Sequence, residues 1–220
     1  MPTVLIAGAN RGIGLEFARQ YSAAGWTVIG TARDPDAATE LAAAAEVHRL
    51  DTADPDSIAA LAAAIDRPLD LFLCVAGMFG PRQFSDDPAG FVATLATNAV
   101  GPTLLAHALK DRVLAGGRKR MVALTSRMGS IGENSSGGAV AYRASKAALN
   151  AAWASLAIDW RPEGLTLVVM HPGWVKTDMG GERAPVTPED SVAAMRATIE
   201  GLTPDQTGSF LNADGSTIPW

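Results

Sequence analysis

Seven short runs of nearly unbroken apolar residues, "TVLIAG", "WTVIGTA", "EVHRLD", "LDLFLCVAG", "RMVALTS", "LTLVVMH" and "GSFLNAD", are spread along the chain with helical patterns between them. A strand with one wet face alternates polar and apolar residues, so runs this continuous predict a sheet covered on both faces. The helical patterns supply the cover. "IGLEFARQYSAAG" sets Ile13, Phe17 and Tyr21 on one stripe ahead of Gly25. "DPDSIAALAAAI" opens with Asp54 as N-cap and Pro55 in the first turn, and "TPEDSVAAMRATIEGL" opens the same way with Thr187 and Pro188. A longer helix is predicted from about Pro88 to Ala115, bent at Gly101-Pro102. Strictly alternating β and α units imply an α/β protein, a doubly wound parallel sheet of about seven strands with helices on both faces.

With 220 residues, of which 48% are apolar and 19% charged, the chain can bury one substantial core and carries no signature of disorder. No fixed-period repeat and no Pro-, Gly- or Ser-rich linker divides it, so residues 1–220 are expected to form a single domain. A net charge of −5 argues against a nucleic-acid partner. The lone Cys74 cannot form an internal disulfide, and no charged-then-apolar leader or span of eighteen apolar residues is evident. A cytoplasmic protein without a membrane partner is expected. His48, His107 and His171 lack metal-ligand spacing with one another or with the cysteine, so no metal is expected either.

Ligands of doubly wound sheets bind beyond the carboxyl ends of the strands. After the first run comes "GANRGIG", where Gly8, Gly12 and Gly14 lie between a strand and a helix. Missing side chains there let backbone N–H groups and the helix dipole approach a pyrophosphate. The second run ends in "TARD", which offers Arg33 and no carboxylate at Ala32. An arginine at this point suits the 2′-phosphate of NADP, with Arg11 as a second charge, and NAD is the weaker candidate. Further on, "YRASK" places Tyr142 and Lys146 four apart, on one face of a helix.

Together these segments resemble the classical short-chain dehydrogenase/reductase family over nearly the whole chain, with its Rossmann-type fold. The resemblance implies a cofactor loop containing Gly8, Asn10, Arg11, Gly12, Ile13 and Gly14. It implies an adenine contact at Asp51 and Thr52 in "LDTAD", and backbone contacts at Ala76 and Gly77 in "CVAG". In "HPGWVKTDM", Pro172, Gly173, Val175 and Thr177 would meet the nicotinamide carboxamide. It also implies a catalytic set of Asn98 in "TNAVGP", Ser126 in "LTSRMGS", Tyr142 and Lys146. Tyr142 would be the general acid for carbonyl reduction, and Lys146 would hold the ribose and lower the phenol's pKa. Ser126 would bond the carbonyl oxygen, and Asn98 would hold a water leading to Lys146. Ser130, Ser135 and Ser136 are nearby alternatives to Ser126.

Two features depart from the family. Cys74 and Val75 replace the asparagines of its NNAG turn, and only "GGERAPV" stands where longer relatives carry a substrate lid. An open pocket is expected. Its apolar neighbours, Met78, Phe79, Met128, Ile131, Trp174 and Met179, suit an apolar ketone, aldehyde or quinone. Trp153 and Trp160, on an alanine-rich helix, are candidates for a homodimer or homotetramer interface, or for cover of the subunit's own sheet. "SRMGSI" and "GSFLNADGSTIPW" resemble a short bacterial branch related to the C-factor signalling protein and to small carbonyl reductases. A cofactor-binding signalling or regulatory protein with little turnover is therefore the alternative to an oxidoreductase.

Overall fold

The computed structural model describes residues 1–83 and 85–220. The chain runs β1 (Thr3–Ala7), α1 (Gly12–Ala23), β2 (Thr27–Ala32), α2 (Thr39–Ala42), β3 (Glu46–Arg49), α3 (Pro55–Ala64) and β4 (Leu71–Cys74). It continues through α4 (Pro88–Leu95), α5 (Gly101–Leu114), β5 (Arg120–Leu124), α6 (Val140–Trp160), β6 (Thr166–His171), α7 (Pro188–Glu200) and β7 (Ser209–Asn212). The strands form one sheet in the order β3-β2-β1-β4-β5-β6-β7, and every neighbouring pair is parallel. All carboxyl ends therefore share one edge. The winding reverses between β1 and β4, and the crevice left there is where such sheets take ligands.

Alternate residues of every strand except the edge strand β3, none of whose residues is buried, feed two cores. Leu5 and Ala7 join Phe72, Ile58, Leu105 and Trp153 beneath α3, α5 and α6, whereas Val4 and Ile6 join Phe17, Tyr21, Val192 and Met195 beneath α1 and α7. This is why the runs read as unbroken apolar sequence. Both expected caps are in place: Asp54 accepts from Asp56 N at 3.0 Å and Thr187 from Asp190 N at 3.1 Å.

Two expectations need correction. The long helix is interrupted not at Gly101-Pro102 but just before it, by a π-helical turn over Ala96–Val100. Pro102 has no N–H with which to close an α-type bond to the Asn98 carbonyl, and the helix widens there. Gly101 is required by a close approach, since a Cβ on it would lie 1.9 Å from the Thr52 carbonyl oxygen. The second correction concerns Trp153 and Trp160, which are only 1% and 6% exposed. Of the two roles considered for them, they take cover of their own sheet, with Trp153 against Phe72 at a centroid distance of 6.5 Å. The stretch Pro88–Leu114 has the length and hydropathy of a membrane span, yet its Leu105, Leu109 and Val113 are fully buried in the core under the sheet.

Candidate active site

The glycine loop is wedged into the crevice by contacts that leave no room for side chains. A Cβ on Gly8 would stand 2.7 Å from Ala76 Cα, and one on Gly14 would stand 2.1 Å from the Gly8 carbonyl oxygen. Gly8 and Gly12 also have φ of 84° and 53°, the left-handed region that glycine enters freely. Helix α1 starts at Gly12 with no side-chain cap, so its first N–H groups face the cleft as an anion site. Although Cys74 and Val75 lack amide side chains, the loop is still tied. The N–H groups of Val75 and Ala76 both donate to the Ala7 carbonyl at 2.9 Å, and Gly8 N donates to Thr31 Oγ1 at 3.0 Å. Thr31 was missed from sequence. Its signal was a hydroxyl inside the apolar run "WTVIGTA".

A cleft of about 600 Å³ extends from this loop across the sheet edge. Asn10, Arg11, Ile13, Arg33, Asp51, Thr52, Gly77, Pro172 and Thr177 all line it, as does Thr97, which sequence reasoning passed over. Gly173 and Val175 do not line it. Val175 is buried in a bridge to Val186, and Gly173 turns the chain at φ 89°. Arg33 is exposed at one end and makes no ion pair among the described residues, while Asp34 Oδ1 accepts from Ala37 N at 3.4 Å. Arg11 is engaged elsewhere. Its Nη1 lies 2.8 Å from Asp178 Oδ2, so an ion pair joins the glycine loop to the segment after β6. Glycine-bare walls, free N–H groups and an unpaired arginine fit a dinucleotide phosphate.

At the inner end of the cleft, Tyr142 and Lys146 form part of the lining, whereas Asn98 and Ser126 do not line it and are buried. Lys146 is 4% exposed and its Nζ donates to the Leu124 carbonyl at 2.9 Å. Burial pulls its pKa down to about 8, opposed by the nearby Cys74. Tyr142 moves the other way: burial raises the phenol's pKa, opposed by the nearby Ser126 hydroxyl. The expected depression by Lys146 is not what sets it, for Nζ is 5.8 Å from the ring centroid and bonded to backbone. Phe79 stacks on Tyr142 at 4.9 Å with 21° between the planes.

Among the serines, Ser130 Oγ donates to the Pro219 carbonyl at 2.6 Å and Ser136 Oγ accepts from Arg143 at 2.9 Å. Ser126 is the serine close enough to influence the Tyr142 phenol, and its Oγ accepts from Met128 N at 3.1 Å. Asn98 is completely buried, with Oδ1 accepting from Met78 N at 2.8 Å and Nδ2 donating to Met78 O at 2.7 Å and Ser145 Oγ at 3.0 Å. Ser145, also missed, donates to the Tyr142 carbonyl at 2.8 Å. Of the apolar residues expected around the substrate, Met179 lines the cleft and is 51% exposed, whereas Ile131 and Trp174, 79% and 54% exposed, do not line it.

Fold and site together define a Rossmann-like α/β protein with a nucleotide-type cleft at its switch point. A profile of the short chain dehydrogenase family matches residues 2–186, and the chain belongs to that family. It is 43% identical over 155 residues to C-signal of Myxococcus xanthus, covering 70% of this chain and 93% of that one. It is 32% identical over 228 residues to the 1-hydroxy-2-glutathionyl-2-methyl-3-butene dehydrogenase of Rhodococcus sp. (strain AD45), covering 100% of both. Among solved structures, the NADPH-bound carbonyl reductase from chicken fatty liver superimposes with a TM-score of 0.92 at 31% identity, covering 100% of this chain and 99% of that one.

Proposed function

We propose that residues 1–220 work as one oxidoreductase domain that transfers a hydride between NADP(H) and a carbonyl/alcohol pair, an apolar ketone, aldehyde or quinone being the substrate reduced. One observation carries the reading: the Tyr142 phenol stands with Lys146 at the inner end of a cleft whose outer end is a phosphate-type glycine loop. When bound, the reduced nicotinamide supplies the hydride. The protein supplies the proton and the electrostatics. Tyr142 Oη donates to the substrate oxygen while Ser126 Oγ donates to the same atom and stabilises its developing charge. Lys146 turns its ammonium from the Leu124 carbonyl toward the ribose hydroxyls. Both Nδ2 hydrogens of Asn98 are spent on Met78 and Ser145 and its Oδ1 accepts from Met78 N, so a proton-relay water falls to its backbone carbonyl, which Pro102 cannot reach. Gly8, Gly12, Gly14 and Arg33 hold the phosphates, and Asp51 and Thr52 the adenine side.

Purified protein should oxidise NADPH with members of a panel of apolar ketones, aldehydes and quinones, and Tyr142→Phe should reduce kcat by at least about a hundredfold. The match to C-signal favours a second reading, a cofactor-binding signalling protein. Tight NADPH binding without turnover on the whole panel, and a biological effect that survives Tyr142→Phe, would establish that reading instead. We also infer a homodimer or homotetramer, supported by exposed Val92 on α4, Val100 in the π-helical turn, Leu104 on α5 and Ile158 on α6. A monomeric mass in light scattering would reject it.

A further inference from the structure

Arg143 follows Tyr142 in sequence and commits its guanidinium to the segment between Ser126 and α6. Its Nε lies 3.1 Å from the carbonyls of both Gly137 and Gly138, Nη1 lies 3.3 Å from the Met128 carbonyl, and Nη2 lies 2.9 Å from Ser136 Oγ. The first half of the segment is tied down without it, by Ser130 Oγ donating to the Pro219 carbonyl at 2.6 Å, Gly132 N donating to the Trp220 carbonyl at 2.9 Å and an Arg127–Glu133 ion pair at 3.2 Å, but the second half has little else to hold it. Residues 131–138 are exposed, and Cβ atoms on Gly137 and Gly138 would meet nothing within 4 Å. Gly137, Gly138 and Ala139 run consecutively at φ 62°, 72° and 45°, and Ala139, the N-cap of α6, is a residue with a Cβ in the left-handed region without a side-chain cap bond. Such a run persists only where its surroundings impose it. Beyond Asn134 Oδ1, which accepts from Gly137 N at 3.1 Å, those surroundings are the arginine fork.

The Met128 contact connects this fork to the chemistry. Met128 N donates to Ser126 Oγ and its carbonyl accepts from Arg143, so one residue links the serine to the arginine next to Tyr142. We propose that Arg143 is a positioning residue whose planar fork locks the Ser126 turn to the Tyr142 helix and thereby sets how the Ser126 hydroxyl is presented to the Tyr142 phenol. Charge alone would not do this, because the fork serves four acceptors in different directions, which an ammonium on a flexible stem cannot reproduce. The proposal rests on the reading of Tyr142 as the proton donor, but its test reads the phenol directly and does not depend on turnover.

The chain has two tyrosines, and burial drives Tyr21 far above the ordinary phenol range. Subtracting the ultraviolet phenolate absorbance of Tyr142→Phe from that of the wild type on raising the pH therefore isolates the Tyr142 titration. The groups facing this phenol are Ser126 from the turn after β5, Lys146 from the same helix and the Phe79 ring from the loop after β4. None is altered in the variants. Arg143→Ala should move the Tyr142 titration upward by about one pH unit, and Arg143→Lys by nearly as much, with NADPH affinity unchanged. If carbonyl reduction is detected, kcat should fall about tenfold with the cofactor KM unaltered.

An unshifted or downward titration in Arg143→Ala overturns the proposal, and so does full restoration by Arg143→Lys, which would assign the effect to charge. Should Arg143→Ala fail to fold, Arg143→Gln keeps most of the stem and is judged by the same titration. If the wild-type protein reduces no carbonyl, the proposed function fails, while the titration still decides the role of Arg143.

Discussion

Asn98 grips Met78 at both of its backbone groups, accepting from the N–H at 2.8 Å and donating to the carbonyl at 2.7 Å. The same amide donates to Ser145, whose hydroxyl donates to the Tyr142 carbonyl. One completely buried side chain thus joins the loop after β4, the π-helical turn and α6. The residue after Met78 is Phe79, which lies on the Tyr142 ring, so this junction also places the aromatic cover of the phenol.

Asn98→Ala should therefore be costly for stability as well as for activity. It orphans the Met78 N–H and carbonyl and removes a partner of Ser145. Each buried group left unpaired costs about 1–3 kcal/mol, and a net loss of about 3 kcal/mol is expected where water partly replaces the amide. Urea unfolding at unchanged m-value measures this as a lower midpoint. A loss below about 1 kcal/mol would show that the junction is dispensable.

Phe79→Ala should loosen the site without unfolding it. Burial is the leading cause of the raised Tyr142 pKa, and the stacked ring supplies part of that burial. Taking it away lowers the phenol's pKa, so the limb of alcohol oxidation that depends on phenolate moves to lower pH. Bulky substrates should gain in kcat/KM relative to small ones. A pH profile identical to wild type would remove Phe79 from the account.

How far the sequence reveals this site depends on the range of the interactions. Strands, helices and the Asp54 and Thr187 caps were legible because their causes are local: two-sided burial leaves unbroken apolar runs, and a cap needs one hydroxyl or carboxylate at the right residue. The π-helical turn was not. Pro102 can be read, but the approach of Gly101 to the Thr52 carbonyl joins segments far apart in sequence. Helical spacing marked Trp153 and Trp160 as apolar but could not say whether sheet or partner covers them. The pairing of Arg11 with Asp178 spans 167 residues, and the pKa shifts of Tyr142 and Lys146 follow burial that only the packed fold creates.

The buried Lys146 makes the stability of the cofactor-free protein depend on alkaline pH. Its pKa falls from 10.5 to about 8 on folding, so below about pH 8 the folded state carries the full penalty of a desolvated ammonium. Between about 8 and 10.5 the unfolded chain binds a proton that the folded chain does not, and stability rises with pH. Relative to Lys146→Met, which does not titrate there, the wild type should gain about 3 kcal/mol across this window. Chemical denaturation of both proteins at pH values spanning it provides the test. A constant difference would place the lysine in a wetter environment than its contacts indicate.

Cofactor choice should hinge on Arg33. It lines the cleft where β2 ends, and it makes no ion pair among the described residues. Asp34, the nearest carboxylate in sequence, is turned to the Ala37 N–H. A charge-assisted hydrogen bond to a 2′-phosphate contributes about 1.5–3 kcal/mol, so Arg33→Ala should weaken NADPH by about ten- to a hundredfold. NADH, which lacks that phosphate, should lose far less, chiefly any stacking of the guanidinium on adenine. Arg11 offers limited compensation while paired with Asp178. Asp178→Asn in the Arg33→Ala background should therefore recover part of the NADPH affinity by releasing Arg11. Raising the ionic strength should weaken wild-type NADPH binding more steeply than that of Arg33→Ala, because a screened phosphate contact is lost from one and already absent from the other. Titration of both cofactors against both proteins reads the ratio directly. Equal wild-type affinities for NADH and NADPH, or a ratio unmoved by Arg33→Ala, would return Arg33 to the status of a surface charge.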